Sequence, residues 1–437
     1  MNTKHSPNAR WIERGSLMLA GATLFGAPAL ATDPVMGGTA EEPALRATPV
    51  TTLNLPDGME SLKDALLAGE FWAKFRYRYE NVDQSGFVDD AHASTLRTVL
   101  GYQTADFHGF TGVLEFSDVS KIGDTNYDYD EGAGNVARPV VADPPLTVVN
   151  QVYVDYTAAV GKIRLGRQRV NLDNQRFIGS VAFRQTEQTM DAISYDKRFD
   201  AGFRAFYSFV DNVNTVVGTN ANASHHLLNL SYEFGDIGQL TAYGYYLDYE
   251  NSPVLSTFTF GGSFVGEYAS DGWGLNYRAE LGHQTDVEDN PNSVDAGYSH
   301  VSLGGNVAGA YANLGLEILE GNGSADPNRS FQTPLATKWK FNGWADKFLI
   351  TPAGGLEDTY LDIGWANEKF RGGIVLHQFE GERSSQADFG DEVDLYAIYQ
   401  MDNGVELGAR FAEFDAEDNT SAWADTQKFW LHMGFAF

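Results

Sequence analysis

Between Phe71 and Glu80 the chain reads FWAKFRYRYE, and every charge falls on one parity. Phe71, Ala73, Phe75, Tyr77 and Tyr79 take the odd positions; Trp72, Lys74, Arg76, Arg78 and Glu80 take the even ones. Side chains of a strand alternate between two faces, so this segment has one apolar face and one that carries all the charge. A helix would spread the same charges around its circumference.

The separation recurs along the chain. Phe110, Leu114 and Phe116 oppose Thr111, Glu115 and Ser117; Phe203, Tyr207 and Phe209 oppose Arg204 and Ser208. Trp273, Leu275, Tyr277 and Leu281 oppose Asn276, Arg278 and Glu280, and Val405, Leu407 and Phe411 oppose Glu406 and Arg410. A soluble sandwich also alternates, but its strands usually run to about five or six residues. These segments are about nine to eleven long, as a tilted membrane strand requires. A Lys or Arg facing lipid costs ~2–4 kcal/mol at mid-membrane, which accounts for the strict parity. The pattern predicts an all-β protein, a transmembrane antiparallel β-barrel that is apolar outside and polar inside.

Connections between the segments alternate short and long. Ala158–Val160, Phe199–Asp200, Asp236–Ile237 and Asp402–Asn403 are short, whereas 119–147, 169–187, 211–225 and 320–355 are long. Bacterial barrels have short periplasmic turns, longer outer loops and an even strand number; the count here is about eighteen. Sixteen is also allowed, because the segments near 188–197, 255–265 and 296–306 alternate weakly. The last segment, Phe429, Leu431, Met433, Phe435 and Phe437, is expected to close the barrel against the first, since a free edge invites aggregation. Such an aromatic C-terminus resembles the signal read by the outer-membrane barrel-assembly machinery.

Lys4, Arg10 and Arg14 precede the apolar run Gly15–Leu30, and Ala29-Leu30-Ala31 offers a small-x-small cleavage site, so residues 1–31 read as a cleaved signal peptide. Residues 32–70 read as a periplasmic linker with one short helix, Ser61–Ala68, whose Ser61 and Asp64 have capping-box spacing. That helix is expected to be a lead-in shielding the barrel mouth. Residues 71–437 form the barrel. Its surroundings are then outer-membrane lipid and lipopolysaccharide of a Gram-negative bacterium.

Composition excludes several functions. No tract beyond the first forty residues has the roughly 18–20 apolar residues of a spanning helix. The chain has no cysteine, hence no thiolate metal site and no thiol nucleophile. With 30 Lys+Arg against 59 Asp+Glu the net charge is −29, which excludes a nucleic-acid binder. His225-His226, His283, His300, His377 and His432 lack metal-ligand spacing, so no metal or other cofactor is expected. No nucleophile–base constellation stands out, and the chain is not read as an enzyme.

Parity places Lys74, Arg76, Arg78, Arg97, Arg164, Arg204, Arg278, Arg371 and Arg410 inside. Guanidinium groups bind carboxylates and phosphates in bidentate fashion, so such a ladder suits an anionic solute. Glu115, Asp155, Glu233, Glu280, Glu317, Asp362, Asp394 and Glu406 are also inward, and the alternative is that the charges merely pair across a wet lumen. The third outer loop, 169–187, carries Arg169, Arg176 and Arg184 beside Phe177, Ile178 and Phe183. It is read either as a constriction loop or as a surface cap. Loop 119–147, with Asp124, Asp128, Asp130, Glu131 and Asp143, reads as a solvated acidic face, with weak Ca²⁺ binding a lesser alternative.

Several segments together resemble the alginate-export family of outer-membrane barrels: SLKDALLAG (61–69), FRYRYENV (75–82), STLRTVLG (94–101), LGRQRVNLDNQRF (165–177), FRQTEQTMDA (183–192), FQTPLATKWKFNGWADKFLITP (331–352) and GLEDTY (355–360). The resemblance spans 61–437 and is most specific over 331–352. It implies a monomeric barrel whose named member exports alginate, a polyuronate, through an arginine-lined pore. It also implies that Arg76, Arg78, Arg97, Arg167, Arg169, Arg176 and Arg184 lie along the solute path. The expected function is passive passage of small, anionic hydrophilic solutes; the alternatives are a dedicated polyuronate exporter and a non-conducting adhesin-type barrel.

Overall fold

The computed structural model describes residues 61–129, 137–323, 327–383, 388–418 and 423–437. The signal segment 1–31, most of the linker, and Asp130 and Glu131 lie outside the described residues.

Eighteen strands follow one another in simple up-and-down order. The first nine are β1 (Glu70–Gln84), β2 (Ala91–Gln103), β3 (Phe110–Lys121), β4 (Leu146–Ala158), β5 (Gly161–Gln168), β6 (Thr189–Arg198), β7 (Phe203–Asn214), β8 (Asn220–Glu233) and β9 (Gln239–Leu247). The others are β10 (Thr257–Ser270), β11 (Trp273–Asp286), β12 (Asp295–Val307), β13 (Ala310–Leu319), β14 (Leu356–Ala366), β15 (Phe370–Glu380), β16 (Asp388–Gln400), β17 (Glu406–Ala416) and β18 (Thr426–Ala436). Each pairs antiparallel with its neighbours, and β1 pairs with β18, so the sheet closes with no edge. The three weakly alternating segments are all strands, and eighteen rather than sixteen is the number.

The seam runs from Lys74 opposite Ala436 to Gln84 opposite Thr426, and Ala73 and Phe437 exchange backbone hydrogen bonds of 2.8 and 3.0 Å. Outside, Phe75 stacks on Phe435 with ring centroids 5.0 Å apart. Alternation holds around the wall: Leu165, Leu281, Leu303 and Leu314 are exposed, while Arg76, Glu115, Arg278, Glu317 and Arg410 are buried inside.

The long connections shape the interior. The third outer loop (169–188) and the seventh (320–355) fold into the lumen, where Val170, Phe177, Ile178, Phe331, Leu335 and Phe348 build an apolar cluster with inward wall residues such as Val210, Leu227, Tyr245 and Phe379. The stretch 211–225 is not a long loop. Strands β7 and β8 continue through it, and a tight 215–219 hairpin joins them, with Asp211 as the extra residue of a bulge. The bulge interrupts strict alternation, which is why a period-two reading ends the strand early.

Helix α1 (Leu62–Leu67) forms as expected, with the Ser61 side chain accepting from the Asp64 N–H. It does not shield the mouth. The Ala105 N–H donates to the Ala65 carbonyl at 3.1 Å, and the hydroxyl of Tyr102, on the outward face of β2, donates to the Leu66 carbonyl. The helix therefore packs on the outer wall beside the β2–β3 turn. Only Ala65 is buried, and six residues cannot span a barrel of this width.

Candidate functional site: the loop-lined lumen

Inward parity on β1 and β2 brings Arg76, Arg78 and Arg97 together, with Arg76 directly opposite Arg97. Three adjacent cations need compensation, and loop 3 supplies it. Arg76 donates from Nε to Gln185 Oε1 at 2.9 Å and from Nη1 to the Ala182 carbonyl at 3.0 Å. Arg78 donates to the Phe183 carbonyl and to Asp143, and its guanidinium lies 4.6 Å from the Phe183 ring centroid. Arg97 pairs with Glu187 at 3.1 Å. Loop 3 is thus a constriction loop and not a surface cap.

The loop's own arginines hold it in place. Arg169 bridges Glu187 (Nε, 2.6 Å) and Glu115 of β3 (Nη2, 2.6 Å). Arg176 donates to Glu317 of β13 at 2.6 Å and to Asn342 of loop 7 at 2.9 Å. Arg184 reaches Glu80 of β1 at 3.2 Å and Asp346 of loop 7 at 2.8 Å. Asp346 also accepts from Lys428 of β18 at 2.8 Å. Burial alone would raise these loop carboxyls. For Glu187, Arg169 and Arg97 outweigh burial and hold the group well below the ordinary carboxylate range. For Asp143, Arg78 and Arg184 do the same. Asp143, expected on a solvated acidic face, is 1% exposed and pairs with Arg78 inside the lumen, whereas Asp124 of the same loop is exposed.

Loop 7 was expected only as a specific stretch of sequence; it proves to be half of the constriction. Phe183 lies face to face with Trp339, centroids 3.5 Å apart and planes 4° from parallel. Trp344 stacks on Trp339 at 5.1 Å, and Trp430 of β18 meets Phe183 edge-on at 5.9 Å. At the turn of the loop, Gly343 has φ +82°, and a Cβ there would fall 2.4 Å from Glu392 Oε2, so only glycine lets the loop press this closely on the wall. Two of its lysines, Lys338 and Lys347, are pulled down to about 8 by burial. The usable signal was aromatic density: Trp339, Phe341, Trp344 and Phe348 are too many for a solvated tip.

The remaining candidates divide. Arg164 grips Asp155 in bidentate fashion at 2.7 and 2.8 Å, Arg204 grips Asp196 at 2.8 and 2.9 Å, and Arg278 pairs with Glu280 at 3.0 Å. Pairing along the wall, between neighbouring strands or within one, is therefore extensive. Lys74 lies half-buried on the inner face of β1. Arg410 lies 5.6 Å from both the Phe183 and Trp339 centroids; among the described residues its Nη2 has no acceptor, and neither has Arg371 Nε. Glu233, inward by parity, sits at the short-turn rim and is exposed. Arg167 is a correction. It shares the parity of Ile163 and Leu165, lies opposite outward-facing Val152, and so faces away from the lumen. Its motif, LGRQRV, places two arginines two residues apart, but the strand ends at Gln168, so Arg169 enters the lumen as part of the loop and Arg167 does not.

A closed barrel of eighteen antiparallel strands, apolar toward lipid and narrowed by inward loops, defines an outer-membrane channel-type barrel. The chain belongs to the alginate-export family, whose profile matches residues 67–306. No curated protein matches it in sequence. Its fold is similar to OccAB2 of Acinetobacter baumannii (TM-score 0.67, 12% identity, 86% of this chain and 99% of that one). It is also similar to OccK9 (OpdG) of Pseudomonas aeruginosa (0.67, 13%, 85% and 99%) and to OpdK of the same organism in a structure with vanillate (0.65, 12%, 85% and 99%). At these identities the likeness is one of fold.

Proposed function

We propose that the protein is an outer-membrane channel for the passive passage of small, anionic, hydrophilic solutes. The observation that carries this reading is the pair Arg371 and Arg410: inward guanidinium groups on β15 and β17, each with a donor that finds no acceptor among the described residues. Elsewhere along the lumen most of the cations are compensated by carboxylates or carbonyls. A donor without an acceptor is where a passing carboxylate gains most, because buried N–H groups left unmade are costly. Lys74, Arg164, Arg169 and Arg204 line the wall and extend the path. Vanillate in OpdK is a small organic anion, which agrees with this size and charge.

Polyuronate export is the second reading, favoured by the family to which the chain belongs. The two loops folded into the lumen and joined by the Phe183–Trp339 stack argue for the smaller cargo, since a polymer needs more free width than a small solute. The strand ending at Phe437 is the element we assign to recognition by the assembly machinery.

Single-channel recording in a planar bilayer tests the reading. The purified protein is expected to conduct with an anion preference that falls in Arg371→Ala and Arg410→Ala. A sealed membrane at all voltages overturns it in favour of a non-conducting barrel, and block by polyuronate at low concentration overturns it in favour of export.

A further inference from the structure

The outward-facing Arg167 belongs to a hydrogen-bonded polar cluster near the loop end of the outer wall. Val152, exposed, is its direct partner on β4, and the outer face of β3 to β7 toward the short-turn rim presents Phe116, Leu165, Ile193 and Tyr207, all substantially exposed. Further toward the loops the same face turns polar, at Asp118, Arg167 and Asp191 two residues on from Phe116, Leu165 and Ile193, and, past a bulge on each of β4 and β7, at Thr147, Asn212 and Asn214. On β3, β5 and β6 the change happens within one strand repeat, about 7 Å along the chain.

The patch is built, not merely exposed. Arg167 holds Asp191 through Nε–Oδ1 at 2.7 Å and Nη2–Oδ2 at 3.0 Å, and its Nη1 donates to the Val149 carbonyl at 3.1 Å. Asn212 and Asn214 each donate to Asp191 at 3.2 Å. On the neighbouring strands Thr147 and Ser120 donate to Asp118. Register shifts in β4, with Asn150 as the extra residue, and in β7, with Asp211, flank the group. Bulges of this kind re-aim side chains at strand ends.

Position and chemistry together restrict the partner. An arginine on the lipid side costs ~2–4 kcal/mol at the midplane and ~0–1 near the interface, so the hydrocarbon boundary passes below Arg167. What touches the wall at that height is the headgroup layer of the outer leaflet. The patch is not cationic, because Asp191 and Asp118 outweigh Arg167, so it is poorly matched to a bare phosphate. It instead offers amide and guanidinium donors interleaved with carboxylate and hydroxyl acceptors, the complement of a ring of sugar hydroxyls. Arg167 and Asp191 keep about a quarter and a third of their surface open for such contacts.

We propose that the outer face of β4 to β7 around Arg167 and Asp191 binds the saccharide headgroup of an outer-leaflet glycolipid. The site lies outside the lumen and is independent of what the channel carries. Native mass spectrometry of the detergent-purified, full-length protein, titrated with rough lipopolysaccharide, reads it directly. Asn212→Ala with Asn214→Ala is expected to lower retention at least fivefold, while Gln378→Ala, outward at the loop end of β15, leaves it unchanged. Arg167→Lys, which keeps the charge and loses the bidentate grip, is expected to fall between them. Equal retention by all variants overturns the proposal, and so does equal retention of a lipid A stripped of its core sugars, which would assign the binding to acyl chains or phosphate.

Discussion

Phe183 and Trp339, 156 positions apart in the chain, lie face to face with ring centroids 3.5 Å apart at the point where the third and seventh loops meet inside the barrel. Neither ring is on a strand. Each is delivered by a loop that gives up solvent for the lumen, and the charges around them explain why the loops stay there.

Trp339→Ala removes the platform on which Phe183, Trp344 and Arg410 rest. The expected cost is about 3–5 kcal/mol, as for other buried aromatic truncations. Because the loss is confined to the loops, the barrel is expected to survive and to conduct more. Single-channel conductance checks this; an unchanged value would mean that the stack lies off the path.

Arg184→Ala leaves Glu80, Asp143 and Asp346 short of a partner. Breaking a buried pair by removing one member costs about 3–5 kcal/mol. Loops 3 and 7 are expected to loosen together, since Arg184 and Asp346 tie them directly. Limited proteolysis is the measurement: new cleavage within 169–188 and 320–355, with the heat-modifiable gel mobility of the folded barrel retained.

The carboxyls of Glu187, Asp143 and Asp346 are each held low by loop and wall cations despite burial. A group whose folded value is depressed contributes its stability in full above the ordinary carboxylate range, near pH 4, and loses it as pH falls through the depressed value. Current traces are therefore expected to be quiet from neutral pH down to about 4 and to become noisy only below that. Noise that set in near pH 6 would count against these three groups as the holdfast.

Arg164→Ala with Arg204→Ala bares Asp155 and Asp196 on the inner wall. An unscreened charge is worth about 1 kcal/mol at 4 Å in water, or roughly a fivefold change in relative permeability. The reversal potential in a salt gradient is expected to move toward cation selectivity by that order. No movement would place β5 and β7 off the solute path.

The barrel was legible because its physics is periodic. Leu275, Tyr277 and Leu281 must face lipid and Arg278 and Glu280 must not, and no other fold imposes that division over so many segments. Strand closure followed from the same rule. The lumen was legible only in part. Parity places Arg76 and Arg278 correctly, but it says nothing about which carboxylate comes to meet them, and Asp143 reaches Arg78 across 65 residues of intervening chain. Arg167 shows the converse: a motif that repeats arginine every second residue suggests two equivalent groups, and a strand end between them sends one to the membrane and the other to the channel.

At the seam of β1 with β18, Ala73 and Phe437 are bonded backbone to backbone. The two strands are the first and last of the barrel, so no chain that lacks β18 can be sealed. Until β18 arrives, the greasy outward ribbons of the other strands have no closed wall to join and must be kept from one another.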